Sequence, residues 1–211
     1  MKGLLEGDTF HECAVSTYRQ DDRSIDERLT DLLGRMTIEE KRDQLIQGMI
    51  GSDDNVNNVG TGSFCPTYGG VLGFSGSLAE RNDYQRIAVE ETRVGIPMIW
   101  GYDVIHGCDT CFPIPLAQAA SFNPDLAERQ ARIAALESRA RGIDWTFSPM
   151  VDVARDPRWG RIAEGYSEDV HVNAAFGAAA VRGYQGDDLA AEGSIAACAK
   201  HFVGRKFTRL V

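Results

Sequence analysis

The sequence predicts an α/β fold, a partial (β/α)8 TIM-type barrel, because short apolar segments alternate with helical ones and polar side chains follow the apolar segments. Four segments are apolar nearly throughout, as parallel strands buried on both faces are, and they lie at residues 70–73, 96–102, 143–147 and 195–202. A doubly wound sheet has the same alternation. We expect about the first four βα units of the barrel, after a helical N-terminal lead.

Side chains capable of chemistry favour the barrel over the doubly wound sheet. They follow three of the strands at their carboxyl ends, and they are Asp103, Ser148, Asp152, Lys200 and His201. In a (β/α)8 barrel, the carboxyl ends of the strands and the loops after them build the active site. Two of these loops, 104–122 and 149–169, are long, and long loops on a compact α/β scaffold are usually functional. The sequence therefore predicts a functional site at this edge of the sheet.

Capping patterns predict where the helices begin. A Ser or Thr stands three residues before a Glu, as in a capping box, at Ser24 and Glu27, Thr37 and Glu40, and Ser77 and Glu80. Asn123 before Pro124 predicts a helix that extends to about Arg141, and residues 170–183 predict another.

The N-terminal lead is predicted to consist of two helices that meet at a bend near Gly34. The second helix is expected to carry Leu45, Ile46 and Met49 at helical spacing. Residues 51–70 are rich in Gly, Asn and Asp, which predicts a loop.

The composition disfavours several classes of protein. The 211 residues are 43% hydrophobic and 25% charged, which is enough for one domain with a real core. The net charge of −9 disfavours a nucleic-acid or anionic-membrane surface, because both require clustered positive charge. No apolar stretch approaches the ~20 residues of a membrane span, and the first residues lack the apolar core of a signal peptide. As given, the chain is expected to be soluble and unsecreted, with no nucleic-acid or membrane partner.

Four side chains suit a polyol ligand. Asp103 accepts hydrogen bonds, whereas Arg158, Lys200 and His201 donate them. A carboxylate can accept from two adjacent hydroxyls while nearby cations donate to other oxygens. The same set is compatible with a phosphate or carboxylate ligand, so the residue types alone leave the ligand open.

Five motifs occur in order along the chain between residue 24 and Gly204. They are LLGRMTIEEK (32–41), GYDVIHG (101–107), FPIPLAQAASFNP (112–124), ARGIDWTFSPMVDVARDPRWGRIAEGYSED (140–169) and ACAKHFVG (197–204). Together they resemble glycoside hydrolase family 3, in its β-glucosidase branch. The resemblance implies a (β/α)8 barrel without a cofactor. It also implies a retaining glycosidase with an aspartate nucleophile and a separate acid/base carboxyl, which retention places roughly 5 Å apart.

The resemblance implies roles for individual residues as well. Asp103 of GYDVIHG matches the carboxylate that grips hydroxyls of the non-reducing sugar, and Arg158 of DPRWGR matches an arginine of the same subsite. Lys200 and His201 match paired donors to neighbouring hydroxyls. The family's nucleophile and acid/base have no counterpart in these residues, so neither a catalytic residue nor a metal ligand is assigned. The remaining charges of the long loop are expected to hold the loop itself, and they include Asp156, Arg161, Glu164, Glu168 and Asp169.

The chain is predicted to have three parts. Residues 1–23 are an N-terminal extension, residues 24–204 are the N-terminal half of the barrel domain, and residues 205–211 (RKFTRLV) are an aberrant tail. We expect a truncated chain that holds the glycone-binding residues and is inactive alone. The complete enzyme is expected to release terminal β-D-glucosyl residues from a β-glucoside or oligosaccharide. Family members are often periplasmic or secreted and some are cytoplasmic, so localisation stays open, as does the oligomeric state.

Other hypotheses stay open beside this one. The chain could be a non-catalytic carbohydrate-binding remnant, and β-xylosidase and N-acetylglucosaminidase specificities are rivals within the enzyme class. A third hypothesis is a metal or thiol-redox module built on Cys108 and Cys111, with His106 as a further ligand. The sequence has no second Cys-x-x-Cys pair that would complete a zinc site, which favours two ordinary loop residues.

Overall fold

The computed structural model describes residues 16–50, 65–74 and 76–201. These residues contain a five-stranded parallel sheet, formed by β1 (Gln47–Met49), β2 (Gly70–Leu72), β3 (Ile99–Tyr102), β4 (Trp145–Thr146) and β5 (Ala196–Ala197). The strands lie side by side in sequence order, and every neighbouring pair is parallel. Sequential order is typical of a barrel wall, since a doubly wound sheet reverses its strand order at a switch point. The predicted α/β fold with parallel strands is confirmed.

Six α-helices accompany the sheet in the described part of the chain. They are α1 (Ile25–Arg35), α2 (Ile38–Gln44), α3 (Leu78–Glu90), α4 (Pro115–Ala119), α5 (Pro124–Ala140) and α6 (Val170–Gln185). The chain divides between Asp43 and Gln44 into two compact units, of which the first carries α1 and the second carries the sheet and α3 to α6. Within the described ranges, no helix combines the length and the apolar character that crossing a membrane requires.

Side-chain caps mark the helix starts, as predicted. Ser24 Oγ accepts a hydrogen bond from the backbone N–H of Glu27 at 3.3 Å, and the Glu27 carboxylate accepts one from Ser24 N at 3.1 Å. Thr37 and Glu40 make the same reciprocal pair ahead of α2, at 3.2 and 2.8 Å. The N-cap residues of α3, α5 and α6 are Ser77, Asn123 and Asp169.

The predicted bend at Gly34 is wrong by two residues. Helix α1 runs through Gly34 to Arg35, and the backbone becomes extended at Met36, with φ −70° and ψ 137°. The capping box that starts at Thr37 requires a non-helical backbone there, so the start of α2 sets the position of the break.

The prediction that the second helix continues through Leu45, Ile46 and Met49 is also wrong. Helix α2 ends at Gln44, and β1 follows and pairs with β2, with Gln47 opposite Gly70. The strand requires a small residue at Gly48, because a Cβ at this position would lie 2.6 Å from the ring of Tyr68. A glycine inside a helix costs about 1 kcal/mol relative to alanine, which favours ending the helix before it. The sheet therefore contains a strand at 47–49 beside the four predicted ones.

Part of the predicted 104–122 loop forms the short helix α4. Pro115 occupies its first position, where the missing N–H is not needed. The side chain of Gln118, in the same helix, donates to the carbonyl oxygen of Pro113 at 2.7 Å. The predicted loop at 104–122 therefore contains a short helix.

Helices α5 and α6 pack through small side chains. The buried cluster between them contains a row of alanines with a few aromatic residues, among them Ala127, Ala131, Ala134, Ala135, Phe176, Ala180 and Tyr184. Gly183 lies at the closest approach: a Cβ there would lie 2.6 Å from Cβ of Ala131 and would also meet the carbonyl oxygen of Glu128. Small residues at these positions allow the two backbones to come close. Helix α6 therefore lies near the carboxyl ends of β3 and β4.

We predict that Gly183→Ala destabilises the chain by about 1–3 kcal/mol, because the added methyl group overpacks the contact between α5 and α6. Gly160→Ala is the matched control, since no atom lies within 4 Å of a Cβ at that position. The midpoint of urea unfolding of the full chain measures both variants. Equal midpoints for the two would contradict the packing described here.

Candidate substrate-binding site

Two strand ends that are distant in sequence meet through an ion pair. The ammonium Nζ of Lys200 donates to Oδ2 of Asp103 at 2.7 Å. Asp103 follows β3 directly, whereas Lys200 lies three residues beyond β5. The Lys200 side chain is 13% exposed and that of Asp103 is 45% exposed, so the carboxylate keeps an open side. The structure thus brings together two of the four predicted site residues at the carboxyl edge of the sheet.

Backbone hydrogen bonds fix the segment that carries Lys200. The backbone N–H of Lys200 donates to the carbonyl oxygen of Pro149 at 2.9 Å, and the carbonyl oxygen of Lys200 accepts from Val151 N at 2.6 Å. Lys200 therefore continues the parallel pairing of β4 with β5 past the end of both strands. This pairing aligns the residue with the long loop after β4.

His201 is bound by a buried aspartate. Oδ2 of Asp152 lies 2.8 Å from Nδ1 of the His201 ring and accepts from the His201 backbone N–H at 3.1 Å. The Asp152 side chain is 4% exposed, and that of His201 is 28% exposed. Asp152 thus braces the strand end that carries His201.

Arg161 joins this cluster, although the sequence analysis assigned it only to holding the loop. It donates two hydrogen bonds to Glu164, each at 2.6 Å, and its Nη1 lies 3.5 Å from Nε2 of His201. The hydrogen bond with Glu164 raises the pKa of Arg161, and burial opposes this shift. The same bond lowers the pKa of Glu164, which burial opposes and the charge of Lys200 assists. The guanidinium and the carboxylate therefore both stay ionised at neutral pH.

The structure does not bring Arg158 to the same cluster. All the side-chain hydrogen bonds that Arg158 makes with described residues go to Asp156, at 3.0 and 2.9 Å, and 70% of the Arg158 side chain is exposed. The bond with Asp156 raises the pKa of Arg158. Arg158 and Arg161 are three residues apart in one motif, and each has a carboxylate partner within three residues, so the sequence holds no signal that distinguishes them.

Buried hydrogen bonds hold the backbone next to Asp103. The N–H of Val104 donates to Oγ1 of Thr146 at 3.1 Å, and the Val104 carbonyl oxygen accepts from the hydroxyl of Tyr184 at 2.8 Å. The same hydroxyl lies 3.3 Å from Oγ of Ser148. Burial raises the pKa of Tyr184 to about 12, so the hydroxyl remains protonated. A residue of β4 and a residue of α6 therefore set the position of the backbone that carries Asp103.

The loop with Cys108 and Cys111 is held by other interactions. The Glu137 carboxylate accepts from the backbone N–H groups of Asp109 and Thr110, each at 2.9 Å. The thiol of Cys111 lies 3.7 Å from Nδ1 of His106. In the described ranges, no three His, Cys, Asp or Glu side chains are arranged to hold a metal ion, so the metal hypothesis gains no support.

The cluster can recognise a neutral, hydroxyl-rich ligand. It contains three groups with positive or donor character (Lys200, Arg161 and the ring of His201) and three carboxylates (Asp103, Asp152 and Glu164). Because carboxylates and cations alternate, the cluster offers acceptors as well as donors, as a polyol requires. A phosphate would meet three carboxylates, which makes a strongly anionic ligand a poor fit.

Comparisons with known proteins show the family to which the chain belongs. The family model described as the glycosyl hydrolase family 3 N terminal domain matches residues 37–208. The periplasmic beta-glucosidase of Salmonella typhimurium is 36% identical over 177 residues, which are 82% of this chain and 23% of that protein. A putative beta-xylosidase of Formosa agariphila is 32% identical over 209 residues, covering 89% of this chain and 27% of that protein.

Solved structures give the same result. The crystal structure of a beta-glucosidase from Listeria innocua is 39% identical with a TM-score of 0.74, over 83% of this chain and 26% of that one. A structure of the same enzyme in complex with glucose matches equally well. The chain therefore spans about a quarter of the length of the proteins that it resembles.

We predict that Tyr184→Phe lowers the free energy of unfolding by about 1–3 kcal/mol, because it removes the 2.8 Å hydrogen bond to the buried carbonyl oxygen of Val104, which then keeps only the longer bond from the Gly107 backbone N–H, at 3.4 Å. Tyr166→Phe is the matched control. Tyr166 is buried in the same cluster, and its hydroxyl makes no hydrogen bond to any described residue. Urea unfolding of the full chain compares the two, and an equal loss in both variants would show that the hydroxyl of Tyr184 has no special role.

We predict that Glu164 makes the chain sensitive to acid. The folded state lowers the pKa of Glu164 from its ordinary 4.5, so its contribution to stability is complete above that pH and is lost as the pH falls through the lower, folded value. The stability difference between wild type and Glu164→Gln should therefore be largest near pH 7 and shrink below about pH 4.5. Urea midpoints of both proteins between pH 7 and pH 3 measure this, and a constant difference would disprove it.

Proposed function

Because this chain belongs to glycoside hydrolase family 3, we propose that it supplies the sugar-binding subsite of a retaining β-glucosidase. The substrate is a β-glucoside or oligosaccharide, from which the terminal non-reducing β-D-glucosyl residue is released. The observation that carries this proposal is the 2.7 Å contact between Lys200 and Asp103, with His201 beside it. Support comes from the glucose complex of the Listeria innocua enzyme, whose fold this chain shares over 83% of its length.

The proposed mode of binding follows from the exposed faces of the cluster. Asp103 is the most exposed member of the Lys200–Asp103 pair and accepts hydrogen bonds from two adjacent hydroxyls of the sugar. Lys200 donates to a neighbouring sugar oxygen with an N–H that Asp103 leaves free. Arg161 supplies a planar donor on the far side of His201. Each group is already held in place by a partner, so little side-chain entropy is lost when the sugar binds.

We assign Arg161 to this subsite on the basis of its position. The resemblance assigned the arginine of the subsite to Arg158, and sugar contact by Arg158 stays a prediction. Arg158 is bonded to Asp156 and is exposed, whereas Arg161 lies against His201. Substitution of the two arginines distinguishes between the assignments.

The two reacting carboxyls of a retaining mechanism are not assigned to any residue of this chain. Asp103 and Asp152 are each bonded to a cationic or N–H group, which suits them to holding hydroxyls or a histidine rather than to attacking an anomeric carbon. We therefore propose that the 211 residues bind glucose and do not hydrolyse glucosides by themselves. In the complete reaction, one carboxylate attacks the anomeric carbon while another carboxyl protonates the leaving oxygen and then activates water.

Two other functions compete with this proposal. Relatives named as beta-xylosidases, at 32% and 30% identity, favour xylose as a second candidate sugar. A non-catalytic carbohydrate-binding role is the other alternative, and it shares the same cluster. Both sugars can be compared on the full chain.

We predict that glucose binds the full chain saturably and that Asp103→Asn and Arg161→Lys each weaken binding about tenfold or more. This is the loss expected when one hydrogen bond to a charged group is removed. Arg158→Lys is the matched control and should change the dissociation constant less than about twofold. NMR titration of the labelled chain with glucose measures all four proteins.

Two results of sugar titrations and one result of a hydrolysis assay would count against the proposal. Equal losses in Arg158→Lys and Arg161→Lys would contradict the assignment of Arg161. Tighter binding of xylose than of glucose would favour the β-xylosidase alternative. Hydrolysis of 4-nitrophenyl β-D-glucoside by the purified chain, abolished by Asp103→Asn, would contradict the proposed lack of turnover.

A further inference from the structure

His201 lies between a group that can only accept hydrogen bonds and a group that can only donate them. On one side, Nδ1 lies 2.8 Å from Oδ2 of Asp152. On the other side, Nε2 lies 3.5 Å from Nη1 of Arg161. An ionised carboxylate has no proton to donate, and a guanidinium has no lone pair to offer. These two neighbours together determine which ring nitrogen carries the proton.

We propose that Asp152 is a positioning residue that holds His201 as the neutral Nδ1–H tautomer. Nδ1 must carry a proton to bond the carboxylate of Asp152. A proton on Nε2 would point at an N–H of Arg161 and set two donors against each other. The Nε2 lone pair therefore faces Nη1 of Arg161. In histidines generally, the hydrogen bond made by one nitrogen sets the state of the other.

The burial of Asp152 makes it suited to this role. Its side chain is 4% exposed, so the carboxylate cannot turn towards water and needs protein donors. One oxygen, Oδ2, accepts both from the ring of His201 and from the His201 backbone N–H. The ring orientation is therefore tied to the orientation of the peptide that links it to Lys200.

Two more charged groups face the histidine, and both are already engaged. Glu164 lies near enough for its charge to interact with His201, but it accepts two hydrogen bonds from Arg161, each at 2.6 Å. The ammonium of Lys200 is bonded to Asp103 at 2.7 Å. Neither group competes with Asp152 for Nδ1, so the assignment holds against these four neighbours among the described residues.

The tautomer of His201 also affects how a sugar is recognised, and this step rests on the proposed function. The resemblance describes His201 as a donor to a sugar hydroxyl, whereas the geometry makes Nε2 an acceptor. On binding, a sugar hydroxyl would replace Nη1 of Arg161 as the donor to Nε2 of His201, while Lys200 donates to a neighbouring sugar oxygen. The site therefore distinguishes a hydroxyl from a group that only accepts, such as a methoxy group, at the position facing His201.

The protonation state can be measured on the free chain by two-bond ¹H–¹⁵N correlation NMR of the histidine rings. The chain has four histidines, and His201→Asn identifies the signals of His201 by their loss. At neutral pH, we expect the pattern of a neutral ring protonated on Nδ1. A ring protonated on Nε2, or on both nitrogens, would overturn the proposal, and this measurement does not depend on whether any variant of Asp152 folds.

Variants of Asp152 test whether this residue sets the tautomer. Asp152→Asn should abolish the single Nδ1–H pattern, and Asp152→Glu, which keeps the carboxylate, should retain it at least in part. Asp188→Asn is the matched control, because Asp188 caps a surface turn through Ala190 and should leave the pattern unchanged. A folded Asp152→Asn chain with the wild-type pattern would overturn the role of Asp152.

Adding glucose to the same sample separates this inference from the proposed function. If glucose shifts the Nε2 signal and the ring stays protonated on Nδ1, both are supported. If the Nδ1–H pattern is present but glucose leaves it unchanged, the sugar site is contradicted and the role of Asp152 stands. A glucose-dependent signal from a ring protonated on Nε2 would support the sugar site and overturn the tautomer.

Discussion

The ion pair between Lys200 and Asp103 is the interaction on which the site depends. It joins the end of β5 to the end of β3, and Lys200 is mostly withdrawn from water. A partly buried ion pair contributes little net stability, since desolvation of the two charges offsets much of their attraction. The ion pair therefore matters for the arrangement of the site: it holds the carboxylate and the ammonium next to each other before a ligand binds.

Helix packing and backbone hydrogen bonds elsewhere in the domain hold these two strand ends in place. Small side chains let α6 pack closely on α5, and this closeness brings the hydroxyl of Tyr184 to the backbone of Val104, the residue after Asp103. On the other side, Lys200 is paired in register with the loop that follows β4. Packing of apolar groups thus determines the spacing of polar ones, because the hydrogen bonds can form only when the helix and the strands are this close.

Much of the fold could be predicted from the sequence, and the failures have physical reasons. Long helices carry their own caps, so α3 and α5 begin where predicted. The strand at 47–49 was missed because Leu45, Ile46 and Met49 continue the helical spacing of α2, which assigned the three-residue strand to the helix. In the site, Asp103 and Lys200 could be predicted as site residues because they lie at the ends of predicted strands. Nothing in the sequence alone reveals that Arg161, and not Arg158, reaches His201. Which arginine reaches His201 depends on the path of an irregular loop, and the hydrophobic periodicity of the sequence does not determine that path.

We propose that the strand ends of the parallel sheet form a preformed binding site for a single pyranose. A crystal structure of the chain soaked with glucose is the most direct test. We expect sugar hydroxyls within hydrogen-bonding distance of Asp103, Lys200 and His201, with these side chains close to their present positions. Glucose bound at another surface, or Lys200 and Asp103 separated with no sugar between them, would contradict it.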